Sequence, residues 1–134
     1  MHVRRRPGLR VVASPAALDA AVWQDDRRPG DDFEPLVLRC APDETLAIGG
    51  VRVEVPDRYA IVEPETGFAA VTVEADEFAD RVARHVEWTL PPERPAFAQG
   101  AIAGVPAKLY LEPGGSATIV VALAYLDDLT ERLG

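Results

Sequence analysis

Asparagine is missing from this sequence, cysteine, lysine and methionine occur once each, and histidine and serine occur twice. Each scarcity closes off a chemistry. The lone Cys40 cannot form an internal disulfide, which fits a reducing compartment. In a strand pattern it reads as an inert thiol rather than a nucleophile. A metal site needs several His, Cys or carboxylate ligands at fixed spacing, and His2, His85 and Cys40 supply no such set. The acidic stretch from Asp25 to Glu34 lacks the ligand order of a calcium loop. Ser14 and Ser116 fit a helix cap and a turn better than a catalytic triad. Asp127 and Asp128 are neighbours on a predicted helix and point in different directions, so they do not form an acid/base pair. The expectation is no catalytic residue, no metal and no bound cofactor.

Long apolar runs are also missing. The longest, Ala117 to Leu126, is interrupted by Thr118 and followed by Asp127, well short of a membrane span. After Arg4, Arg5 and Arg6 come Pro7, Gly8 and Arg10, where a signal peptide would place its apolar region. These features predict a cytoplasmic protein without membrane contact. Net charge is −8 over 134 residues, and four of the 14 basic residues fall within the first ten positions. The remainder carries ten basic against 22 acidic residues, a charge of −12 that repels phosphate backbones and argues against nucleic-acid partners. Residues 1–12 read as a flexible basic lead, with a short strand at most over Leu9 to Val12, and residues 13–134 as one domain.

What is present is an alternation of strand and helix signals, with 48% hydrophobic residues to fill a core. Ser14-Pro15 predicts a helix start, with Leu18, Ala21 and Val22 on one face to about Trp23. Gln24 to Pro35 reads as a solvated loop. Leu36 to Cys40 and Thr45 to Ile48 predict strands around a Pro42-Asp43-Glu44 turn. Gly49-Gly50 predicts a hairpin into Val51, Val53 and Val55, which alternate with Arg52 and Glu54. Strand material follows at Ile61-Val62 and Phe68 to Val73.

Ala75 to Val86 predicts a helix with Phe78, Val82 and Val86 inward, acids at its start, Arg81, Arg84 and His85 at its end, and Glu77–Arg81 and Asp80–Arg84 pairs. His85 then reads as a partner of the helix dipole rather than as a base. Ala98 to Leu111 and Ala117 to Leu123 read as two strands joined by Pro113 to Ser116. Tyr125 to Leu133 predicts a last helix with Leu126, Leu129 and Leu133 inward. The expected fold class is α+β: an antiparallel sheet with helices packed on one face around a β-α-β-β-α core, ferredoxin-like. Phe78, Val82, Leu109, Val121, Leu126 and Leu129 are the expected core.

One segment stands out from this packing scheme. From Gln99 to Pro106, two glycines weaken a strand, Gln99 offers an amide that donates and accepts, and Pro106 removes a ladder donor. That combination reads either as a bend or as a sheet margin that a partner chain or a ligand ring approaches closely. The candidate contact residues are Gly67, Phe68, Gln99, Gly100, Gly104 and Pro106.

Ile61-Val62-Glu63, Thr66-Gly67-Phe68, Ala98-Gln99-Gly100 through Val105-Pro106-Ala107-Lys108-Leu109-Tyr110, and Ala124-Tyr125 before a Leu-rich helix together resemble the gamma subunit of heterotetrameric sarcosine oxidases. That subunit is similar to a folate-binding domain of the aminomethyltransferase type. The resemblance covers residues 36–134 and leaves residues 1–35 without a counterpart. It implies an aminomethyltransferase-like half and a non-catalytic accessory subunit of a flavin- and folate-linked amine-oxidising complex, partnered by a larger flavoprotein chain. The alternative is a stand-alone small-molecule-binding module that self-associates.

Overall fold

Every strand pairing in the chain is antiparallel, and the protein has the α+β architecture its alternating signals predict. The computed structural model describes all residues, Met1–Gly134. In chain order the elements are β1 (His2–Arg4), β2 (Gly8–Val12), α1 (Pro15–Asp19), β3 (Val22–Asp25), β4 (Leu36–Ala41), β5 (Glu44–Ile48), β6 (Val51–Glu54), β7 (Ile61–Glu65) and β8 (Phe68–Val73). Then come α2 (Ala75–Glu77), a π turn (Phe78–Val82), a 3-10 turn (Ala83–His85), β9 (Ala96–Ile102), β10 (Val105–Leu111), β11 (Ala117–Ala122), a 3-10 turn (Leu123–Tyr125) and α3 (Leu126–Leu133). Two compact units result: residues 1–5 with 67–134, and residues 6–66.

The first unit is a five-stranded sheet in the order β1-β8-β11-β10-β9. Side chains alternate across a strand. One face therefore presents Ala69, Val71 and Val73, Ile119 and Val121, and Val105, Ala107, Leu109 and Leu111. Val82, Leu126, Leu129 and Leu133 from the helical segments pack on this same face, so the helices lie on one side of the sheet as expected. Five of the six expected core residues are buried; Phe78 is half-buried against the same cluster.

The predicted helix over 75–86 is broken into three short pieces. Ala83 N–H bonds the Phe78 carbonyl five residues back, which widens the coil into a π turn. The expected Glu77–Arg81 and Asp80–Arg84 pairs do not form. Glu77 instead takes the Met1 ammonium at 2.6 Å, and Arg81 donates to the Gly134 carbonyl at 3.2 Å.

Residues 1–12, expected as a loose lead, form two paired strands. β1 aligns His2 with Thr72 and Arg4 with Ala70, and β2 lies between β5 and β7. Three residues of β1 are too few to signal a strand alone; the free edge of β8 supplies the pairing. The span expected as one strand, Ala98 to Leu111, is also corrected. It is a hairpin of β9 and β10, with Ile102 opposite Val105 and a two-residue turn at Ala103-Gly104. Both turn residues have positive φ, 51° and 78°, the backbone of a type I′ turn. The Ala103 N–H donates to the His85 carbonyl at 3.0 Å, and its own carbonyl accepts from Arg132 at 2.8 Å.

The second unit holds a four-stranded sheet, β4-β5-β2-β7, and a two-stranded ribbon of β3 and β6. The β4–β5 hairpin turns where Pro42-Asp43 predicts it, with a bulge between Arg39 and Ala41. The Ser14 hydroxyl caps α1 by accepting from the Ala17 N–H at 3.2 Å, but the helix stops at Asp19. Val22, expected on its inner face, is 53% exposed in β3. Gly49-Gly50 does not make a hairpin, because β6 leaves β5 to pair with β3. It is a corner between two sheets, where Gly49 at φ 107° bonds the Pro7 carbonyl and Gly50 accepts from the Asp26 N–H.

Asp57 ties this unit's turns together. Its carboxylate accepts from the Ser14 N–H at 3.0 Å and the Tyr59 N–H at 2.9 Å. Those hydrogen bonds, the Ser14 bond first, hold its pKa below the ordinary carboxylate value. A folded pKa below the unfolded one stabilises above the ordinary carboxylate range, and the benefit is lost as pH falls through it. In urea unfolding between about pH 6 and pH 3, Asp57→Asn should be the less stable protein at the upper end and show a shallower acid decline. An acid decline as steep as in the parent chain would show that Asp57 contributes nothing to it.

Candidate functional site

The hollow at one corner of the five-stranded sheet arises from the way its strands part. β10 keeps pace with β9 from Leu111 down to Val105, but its pairing with β11 stops at Lys108 opposite Val120. β11 meanwhile continues along β8 as far as Ala122 opposite Phe68. Pro106 has no N–H with which to extend the β10–β11 ladder, and the two strands separate there. A hollow of about 590 Å³ opens between them, within the size range of small-ligand sites.

Its walls come from Phe68, Gln99, Gly100, Ala101, Pro106 and Ala107 together with Lys108, Val120, Ala122 and Tyr125. Gln99, Ala101, Pro106 and Lys108 face away from the helices by strand alternation, so the hollow lies on the opposite side of the sheet from the core. Tyr125 is 44% exposed at the rim. The Lys108 ammonium donates to Gln99 Oε1 at 3.2 Å and stands 5.7 Å from the centre of the Phe68 ring. The Leu123 N–H bonds the Gly67 carbonyl at 2.8 Å, which holds the chain after β11 to the start of β8 beside this corner.

Four of the six candidate contact residues, Phe68, Gln99, Gly100 and Pro106, line this one hollow. Gly67 is not among the lining residues and accepts from the Leu123 N–H next to Phe68, and Gly104 belongs to the β9–β10 turn, with Arg132 3.3 Å from where its Cβ would be. Gly100 has a role of its own. A Cβ there would lie 2.5 Å from the Trp88 ring, which packs across the strand on the helix side and donates from Nε1 to the Ala101 carbonyl at 2.8 Å. The group that approaches Gly100 closely is therefore the chain's own tryptophan. Ala107, Lys108, Val120, Ala122 and Tyr125 also line the hollow and were not among the residues expected there. The signal that could have found Lys108 is its uniqueness, as the one lysine among 14 basic residues.

No three His, Cys, Asp or Glu side chains converge as metal ligands would. His2 lies in β1 opposite Thr72, His85 sits at the end of the 3-10 turn, and Cys40 is half-buried in β4 with its thiol toward the Leu38 carbonyl. No helix is long and apolar enough to cross a membrane.

The fold is one known from a multi-subunit enzyme. A chain of the heterotetrameric sarcosine oxidase from Corynebacterium sp. U-96, solved in complex with pyrrole 2-carboxylate, is similar with a TM-score of 0.71 and 18% identity. The match covers 97% of this chain and 78% of that one. The first 35 residues, which had no counterpart in the sequence resemblance, thus fall largely within the shared fold. At this identity the likeness shows the fold alone. No family model matches the sequence, and no curated protein matches it.

Proposed function

We propose that this chain is a non-catalytic accessory subunit of a flavin- and folate-linked, sarcosine-type amine-oxidising complex, bound to a larger flavoprotein chain. The observation that carries this reading is the extent of the fold likeness: 97% of the chain follows a chain of a heterotetrameric enzyme. The place of β9 at an edge of its sheet supports it, because edge strands are where another chain can add by strand pairing. Fold does not determine function. The deciding experiment is therefore affinity purification of the tagged chain at native expression, with size-exclusion chromatography and flavin fluorescence of the eluate. Co-elution with a larger flavin-bearing chain is the expected result. Recovery only as a monomer or homodimer would overturn the subunit reading and favour the alternative, a stand-alone small-molecule-binding module, for which the hollow beside Lys108 speaks.

A further inference from the structure

The charge in the hollow runs against the charge of the chain. The protein carries 22 acidic residues and a net charge of −8, yet the ten residues around the hollow include no Asp or Glu and one cation, Lys108. Lys108 forms no ion pair with a carboxylate; its contacts are the Gln99 side-chain oxygen and the face of Phe68. An ammonium has three donors, and Gln99 takes one of them. The surroundings are otherwise apolar or aromatic: Ala101, Pro106, Val120 and Ala122, with the Phe68 and Tyr125 rings. Ligand sites are built this way, from an apolar lining with a few placed polar groups that set orientation. A cation beside apolar walls, in a chain otherwise dominated by negative charge, selects for a ligand of opposite sign with a ring to bury.

We propose that the hollow between β10 and β11 binds a small aromatic carboxylate, its carboxylate on Lys108 and its ring against Phe68 and Tyr125. Gln99 holds the ammonium in place by accepting one of its hydrogen bonds. All these residues belong to this chain, so binding needs no partner and does not depend on the subunit reading.

The test uses the purified full chain labelled with 15N, naphthoate as probe and its neutral isostere naphthamide as control. Naphthoate should shift the backbone amides of Gln99 to Ala101, Lys108 and Val120 to Ala122. Naphthamide should bind about tenfold more weakly, because its neutral carbonyl accepts from the ammonium without the attraction of opposite charges. Lys108→Met keeps the aliphatic stem and should weaken naphthoate by about tenfold and naphthamide by much less; Lys108→Arg keeps the charge and should retain most of the affinity. Tyr125→Ala removes an exposed ring and should weaken both probes. Lys108 and Tyr125 are not part of the buried core, and unchanged thermal midpoints will show that the variants fold. Equal affinity for acid and amide, full binding by Lys108→Met, shifts elsewhere in the chain, or no shifts at millimolar naphthoate would each overturn the proposal. Shifts in these strands produced only by an added protein would overturn it too, in favour of a docking groove. None of these failures bears on co-purification with a flavoprotein chain.

Discussion

Gly8→Ala should leave the second unit largely unfolded, although the change adds one methyl group. A Cβ at position 8 would lie 1.8 Å from the Ala47 carbonyl oxygen and 3.1 Å from the Ile48 Cα, both backbone atoms of β5. Flexible side chains can rotate away from an added methyl, but a paired strand cannot. Overpacking a well-filled site costs about 1–3 kcal/mol, and a backbone clash belongs at or above the top of that range. β2 holds the centre of its sheet, so displacing it would disturb pairing with both β5 and β7. Urea denaturation followed by circular dichroism measures the loss. A midpoint within experimental error of the parent protein would show that β2 and β5 are not this close in solution.

Leu129→Ala should destabilise the first unit by about 2–5 kcal/mol, the usual cost of emptying a fully buried leucine site. Leu129 has no exposed surface and lies with Leu126 and Leu133 on the inner stripe of α3, against the sheet. α3 is eight residues long, too short to be stable without tertiary packing. Its docking rests on those three side chains, so loss of one should loosen the whole last turn of the fold. A change below about 0.5 kcal/mol, the range of ordinary surface substitutions, would place α3 elsewhere than on the sheet.

Most elements could be read from local signals where those signals coincide with what tertiary contacts reward. The alternation in β10 and β6, the Pro42-Asp43 turn, the Ser14 cap and the leucine stripe of α3 are of that kind. The misreadings share a cause. Gly49-Gly50 has the composition of a hairpin turn, but turn composition permits a reversal without choosing the partner strand, and β6 found β3. Ala103-Gly104 turns the chain tightly with an alanine at positive φ, outside the usual Asn-Gly or Asp-Gly signature, so two strands looked like one. The lead from His2 to Arg4 became a strand through a partner some seventy positions away, which no local window contains.

The candidate site was legible to the same degree. Phe68, Gln99 and Pro106 stood out by residue type, while Ala122 and Tyr125 reach the hollow only because β11 outlasts β10. Gly100 was noticed for the right property, a need for space, but the space belongs to Trp88.

The discontinuity of the first unit has a kinetic meaning. β1 must find β8 across an intervening segment that folds as the second unit, with His2 and Thr72 separated by 70 positions. Within that unit β2 and β7 pair so that Gly8 faces Glu65, which brings the two ends of the segment side by side. Once the unit has formed, the loop that β1 has to close shrinks from the whole segment to a few residues. At about 0.6 kcal/mol for each doubling of loop length, the three doublings removed are worth about 2 kcal/mol of closure entropy. The middle of the chain therefore acts as a clasp for its beginning. β1 should dock last, and its arrival would complete the sheet at the edge opposite β9.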